Sequence, residues 1–193
     1  MLVPATAVPA AAQRHTWDGS LGLSGSAWRA AVGAFWQVDI GGLRLGAGPR
    51  LTHFAGNASN YRGRGSLPAG IPSRLALAPD VWALNLAVSG QLRLAGPLAA
   101  GANLDLVGVA AGPSRIAAAT RLEPSRGSLF LYGDRDRGSL NSEFFVAVTV
   151  GRQLSVRAGV SHYVTGYRIA DRSASGHYLR FDTVPFLGVR WAP

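Results

Sequence analysis

Polar and apolar residues alternate along almost the whole chain, with the period of two that a strand shows when one face meets an oily medium. Residues 81–95 display it most clearly. Trp82, Leu84, Leu86, Val88, Leu92 and Leu94 share one face, and Asn85, Ser89, Gln91 and Arg93 the other. In residues 43–55 the faces are Leu43, Leu45, Ala47 and Leu51 against Arg44, Arg50 and Thr52. Residues 98–111 set Leu98, Leu104 and Leu106 against Asn103 and Asp105, and residues 142–150 set Phe144, Val146, Val148 and Val150 against Glu143 and Thr149. Residues 154–167 oppose Leu154, Val156, Val160 and Val164 to Ser155, Arg157, Ser161 and Thr165. Residues 178–191 oppose Leu179, Phe181, Leu187, Val189 and Trp191 to Arg180, Asp182 and Arg190. Weaker segments at 17–27 and 30–40 bring the set to eight. Each is long enough for a tilted strand to cross a bilayer, which takes about 9–11 residues, whereas no run approaches the ~20 apolar residues of a spanning helix.

The links between segments sort into two kinds. Gly41-Gly42, Gly96-Pro97 and Gly151-Arg152-Gln153 are tight turns, and residues 56–80, 112–141 and 168–177 are longer and polar. Tight and long links alternate, so they collect at opposite ends, as the periplasmic turns and extracellular loops of outer-membrane barrels do. With an even strand number both termini fall on the tight-turn side, the periplasm. The pattern predicts an all-β chain folded as a closed, antiparallel, up-and-down transmembrane barrel of about eight strands. Ten is the alternative, if residues 115–122 and 128–132 join the wall. Pro49 and Pro185 interrupt strands and remove ladder donors, which predicts bulges or kinks there. The first outer loop, near Ser26 to Arg29, is very short.

Residues 14–193 read as one barrel domain. Residues 1–13 are small and apolar, with Ala10-Ala11-Ala12 before Gln13, and resemble the tail of a secretory signal or a disordered leader. The chain has no cysteine, so no disulfide or thiolate metal site is available. Its formal charge of +9 comes wholly from arginine. Those arginines are scattered over strands and loops without a basic helix, which argues against nucleic acid as a partner.

Aromatic residues on the oily face gather in two belts, Trp17, Trp36 and Trp191 toward the tight turns and Trp82, Phe144 and Phe181 toward the long loops, as bilayer interfaces favour. The opposite face carries Asp18, Asp39, Asp105, Glu143 and Asp182 with Arg44, Arg50, Arg93, Arg157, Arg180 and Arg190. An eight-stranded barrel is only wide enough to be filled by side chains, so these groups are expected to neutralise one another inside it. Arginine suits the task because its fork bonds carboxylates bidentately and keeps its charge when desolvated. A conducting pore or solute site is the competing expectation. A soluble lipocalin-like barrel would need the apolar face turned inward.

Eight alternating segments, unequal loops, two aromatic belts and a near-terminal Trp191 resemble the small OmpA/OmpX-type outer-membrane barrels over about residues 17–191. The likeness is architectural. It implies outer-membrane lipid as surroundings, and it likens Trp191 to the terminal aromatic read by the barrel-assembly machinery, although Ala192 and Pro193 follow it here. Some small barrels modify lipid A, chemistry that needs a serine beside a histidine base. His162 has Val164 as its same-face neighbour while Ser161 points away, and His53 has Leu51 and Ala55. His177 sits near Asp171 and Ser175 at a loop junction, and His15 falls in the leader. No catalytic set, cofactor or metal site is assigned. The pair of aspartates in Gly133-Asp134-Arg135-Asp136-Arg137 is offset by its arginines and falls short of the six to eight oxygens calcium takes. Gly46-Ala47-Gly48 lies within a strand and precedes no helix, so it is no dinucleotide loop.

The long loops carry a positive bias: Arg62, Arg64, Arg74, Arg115, Arg121, Arg126, Arg135, Arg137, Arg168 and Arg172 outnumber Asp80, Glu123, Asp134, Asp136 and Asp171. Arginines at that end suit the phosphates of lipopolysaccharide. The chain is therefore expected to be a non-enzymatic outer-membrane protein in an envelope-structural, surface-contact or lipopolysaccharide-interacting role.

Overall fold

The alternation resolves into a wall with two faces. The computed structural model describes residues 13–131, 135–170 and 176–193. Its strands are β1 (Gln13–Leu23), β2 (Ala27–Ile40), β3 (Leu43–Gly56), β4 (Ser59–Arg64), β5 (Arg74–Leu77), β6 (Asp80–Ala95) and β7 (Leu98–Ala111). They continue with β8 (Arg115–Ala117), β9 (Thr120–Pro124), β10 (Gly127–Leu129), β11 (Leu140–Val150), β12 (Leu154–Ile169) and β13 (His177–Trp191). Eight of them, β1, β2, β3, β6, β7, β11, β12 and β13, pair antiparallel in that order. The pairing of β1 with β13, with Trp17 opposite Trp191, closes the ring. Closure satisfies every strand edge within the wall.

The wall has eight strands and not ten. Residues 115–129 do form strands (Tyr132 lies outside the described residues), but β10 pairs with β7 beyond the end of β11, and β9 pairs with β12 beyond that same end. Together they fill the space above the late-starting β11 and raise the wall outward. A second addition was not expected from the sequence. The hairpin β4–β5 leaves β3 and lays β4 against the outer end of β13, where the short β1–β2 hairpin has already turned back. Strands of three to six residues carry too little alternation to be distinguished from polar loop.

The tight turns use glycine at positive φ, with Gly41 at 62°, Gly96 at 53° and Gly151 at 75°. Those angles match the right-handed twist of the strands they join and cost a side chain about 1–2 kcal/mol. Pro49 is accommodated by a local break. The β2–β3 pairs run from Gly33↔Arg50 to Trp36↔Ala47 with none between, while Pro49 keeps its partner Leu86 on β6. Gly48 lies within that break, so close to the Ala34 carbonyl that no Cβ would fit. The β1–β13 ladder stops at Gly22↔Phe186, just short of Pro185.

One irregularity reverses a face. Between β6 and β7 the register shifts at Leu86/Ala87, where Leu86 faces Val107 and Ala87 faces Asp105. Leu106 is the extra residue of a bulge. Strict alternation from Asp105 would aim Val107 and Val109 inward. The bulge turns both outward, where they are 46% and 59% exposed.

Candidate functional site: the enclosed charge network

All eight wall strands present large apolar side chains outward, among them Leu21, Val32, Leu45, Leu84, Val107, Val146, Val156 and Leu187. The inward positions are mainly polar through the middle of the barrel. Asp18, Asp105 and Glu143 are buried there with Arg29, Arg50, Arg157 and Arg190.

Glu143 is the hub. One oxygen receives Arg29 at 2.8 Å and the other Asn103 at 2.8 Å, with Arg50 at 3.2 Å and Arg157 at 3.6 Å beside it. Asp105 pairs with Arg50 at 2.6 Å and also accepts from Asn85 at 2.7 Å and the Asn141 backbone at 2.9 Å. Asp18 holds Arg157 and, at 2.7 Å, Arg190, which extends to Gln91 at 2.8 Å. The guanidiniums also lie over two inward aromatic rings: Arg157 over Phe145 at 4.7 Å, Arg190 over Phe145 at 5.5 Å, and Arg29 over Phe186 at 5.2 Å. Cations thus meet carboxylates on some sides and π faces on others, which suits a space from which water is largely displaced.

The remaining expected members stand apart from this centre. Asp39 pairs with Arg44 at 2.7 Å, half-buried at the tight-turn mouth, where Arg14 also approaches Asp39. Arg180 and Asp182 pair in the outer part of β13, with Arg180 over the Tyr61 ring. Arg93, two residues beyond the buried Gln91 on the same face of β6, is exposed at the tight-turn mouth and lines a cleft with Asp39 and Arg44. Arg29, assigned to a loop from the sequence, instead points from β2 into the lumen and is fully buried. Counting every second residue back from Gln37 through Phe35 and Ala31 reaches it.

Above the charged layer the interior turns apolar, which polar alternation had not suggested. Phe54 stacks on Tyr163 at 4.5 Å and packs with Ala27 and Val184. Further out, Tyr61, Leu75, Leu77, Val81, Leu122, Tyr167 and Tyr178 form a core contributed by the wall and both outer hairpins. Burial, with Tyr167 nearby, holds the Tyr61 phenol above its ordinary range. The outer mouth is therefore plugged by side chains that hairpins β4–β5 and β8–β9 bring together.

Trp17, Trp36 and Trp191 are exposed toward the tight-turn end, and Trp82 at the opposite end. Trp28, not expected in the belt, joins Trp82 there. Phe181 is partly buried against Leu140, Val164 and Leu179. Phe144 is a correction. It lies opposite Ala102 in the lower half of β7, whereas Trp82 faces Ala111 at the strand's end, so Phe144 sits on the mid-wall. The late start of β11 misplaces it in any count from strand length.

His15 lies in β1 and not in the leader; its ring meets Trp36 edge-on. His162 bonds Thr183 at 3.0 Å. His53 stacks on Trp82 at 4.1 Å and bonds Asp80 at 3.0 Å, but its cross-strand neighbours are Ala30 and Trp82, neither a nucleophile. His177 begins β13, and Asp171 and Ser175 lie outside the described residues, as do residues 1–12, Asp134 and Arg172. Among the described residues no three His, Cys, Asp or Glu side chains could hold a metal ion. Asp136 instead caps the Leu131 amide at 2.8 Å.

These features define a class: a closed, eight-stranded antiparallel barrel, apolar outside and charged within. No family model matches the chain, and no curated protein matches it by sequence. Among solved structures it is similar to Neisserial surface protein A, at 14% identity over 93% of this chain and 94% of that one, with a TM-score of 0.41. It is also similar to a major outer membrane protein from Thermus thermophilus, at 12% identity over 94% and 100%, with a TM-score of 0.45.

Proposed function

We propose that the chain is a non-enzymatic, membrane-spanning protein of the bacterial outer membrane, with tight turns and termini in the periplasm. In this reading it holds a closed, filled barrel in place for an envelope-structural, surface-contact or lipopolysaccharide-interacting role. The observation that carries it is the pairing of two faces: apolar side chains exposed on all eight wall strands, and an interior of mutually neutralised charges. Water would penalise the first face and hydrocarbon the second, and only a bilayer outside a closed barrel satisfies both. Loop arginines reaching the phosphates of lipopolysaccharide, and Trp191 serving as the mark for the barrel-assembly machinery, belong to the same proposal.

The folded protein should fractionate with outer membranes and run faster on gels before boiling than after. Reconstituted into planar bilayers it should give no single-channel conductance, because Arg157, Arg190 and Phe145 are buried together in the lumen and the Tyr61–Tyr178 core closes the outer end. Discrete conductance steps would favour a narrow channel instead.

A smaller consequence concerns hairpin β8–β9. Its two-residue turn places Ala118 at φ 47° and Ala119 at φ 59°, a conformation in which a Cβ costs about 1–2 kcal/mol. Ala119→Gly should relieve the strain and slow proteolysis of this exposed hairpin; faster cleavage would count against it.

A further inference from the structure

We propose that the outer wall beside Trp82 carries a binding site for the phosphorylated head and acyl chains of lipid A, an inference that rests on the membrane reading above. Where β6 and β7 emerge from the wall, β8–β9 folds back toward β12 and leaves a cleft of about 700 Å³. That volume lies within the ~300–1,000 Å³ of small-molecule sites. Its floor is apolar, made by Trp82, Leu84 and Val109, and its remaining lining carries Arg121 and Arg126 with one carboxylate, Glu123.

The two arginines are held at fixed points. The Arg126 carbonyl accepts from the Ala110 amide at 2.8 Å, and the Arg121 carbonyl accepts from Ala170 at 2.9 Å. Their charges are in excess over local carboxylate. Glu123 bonds Arg168 and lies 3.8 Å from Arg121, and no carboxylate among the described residues pairs with Arg126. On the strand opposite Arg121 stands Ile116, 81% exposed, the most exposed large apolar side chain described. On the other side of Trp82, a second cleft of about 250 Å³ is lined by Trp28, Leu51, His53 and Trp82. The two clefts share Leu51 and Trp82.

Two cations beside two adjoining apolar clefts, all at an aromatic belt, complement one kind of molecule: an anionic headgroup with several acyl chains. Phosphate fits the arginines because guanidinium forks bond its oxygens in pairs. The outer leaflet supplies such a molecule in lipid A, whose chains would run down the wall along Leu84 and Val109.

The test uses purified, folded full-length protein in detergent, titrated with bisphosphorylated lipid A and with dephosphorylated lipid A, the bound complex being counted by native mass spectrometry. The parent should prefer the phosphorylated form. Arg121→Gln/Arg126→Gln should weaken its binding by about tenfold, as expected for lost charge-assisted bonds. Val109→Trp, which fills the floor and leaves the charge intact, should weaken it comparably. Arg14→Gln/Arg152→Gln, at the tight-turn end of the barrel, should bind within about twofold of the parent, since it removes the same charge far from the cleft and the outer loops. Heat-modifiable gel mobility confirms that each variant is folded. If the cleft variants bind as the parent does, the cleft is overturned while a diffuse loop interaction stands; if the tight-turn pair costs as much, the binding is unspecific charge attraction and the cleft is overturned as well. If the parent binds neither lipid, the lipopolysaccharide-interacting role itself fails.

Discussion

Glu143→Gln is expected to destabilise the folded barrel by about 3–5 kcal/mol, the usual cost of removing one partner from a buried ion pair. Glu143 faces Arg29, Arg50 and Arg157 at once. Arg50 and Arg157 retain Asp105 and Asp18, but Glu143 is the only carboxylate paired with Arg29 among the described residues. Glutamine keeps the shape and the acceptor oxygen, so the loss reports charge and not packing. Urea titration in phospholipid bilayers, followed by gel mobility, measures it. Adding Arg29→Met should recover part of the loss, because the stranded cation is gone and a side chain of similar length still packs near Phe186. The cycle should show a coupling of about 1–3 kcal/mol. A single-variant loss under about 0.5 kcal/mol would mean that water reaches and screens the network, and a filled lumen would be untenable.

The eight wall strands were legible in the sequence because each is long enough for its alternation to record which side meets hydrocarbon. Asp18, Arg50, Asp105, Glu143, Arg157 and Arg190 were legible for the same reason: each sits where a charge would be intolerable on the other face. What escaped depends on contacts between distant segments. The bulge at Leu106 reverses the parity of Val107 and Val109, and the pattern gives no sign of it because both faces are apolar or glycine nearby. β4 forms only because the short β1–β2 hairpin leaves β13 uncovered, a fact about register and not about residues 59–64 themselves. Arg29 was assigned to a loop because Trp28 and Ala30 to Ala31 blur the start of β2. The His53–Asp80 bond joins neighbouring strands β3 and β6 across their register, where reading along one strand sees only Leu51 and Ala55.

Val146→Arg provides the complementary result on the outside of the wall. Val146 is the outward-facing neighbour of the mid-wall Phe144 on β11, opposite Ala100 on β7 and Ala158 on β12, and half-exposed among other apolar side chains. In a bilayer an arginine at that depth is expected to cost about 2–4 kcal/mol, falling to about 0–1 kcal/mol near an interface. Ile116→Arg, on hairpin β8–β9 beyond the wall, should therefore change stability by less than about 1 kcal/mol, even though Ile116 is the more exposed of the two. Exposure to water would predict no such contrast, since surface substitutions of a soluble protein mostly fall within about ±0.5 kcal/mol. Both free energies follow from urea titrations of the barrel in the same lipid. A large loss at 146 with almost none at 116 requires hydrocarbon around the middle of β11. Equal and small effects would place water there, leaving an apolar wall with no medium to face and a barrel that could not be a membrane protein.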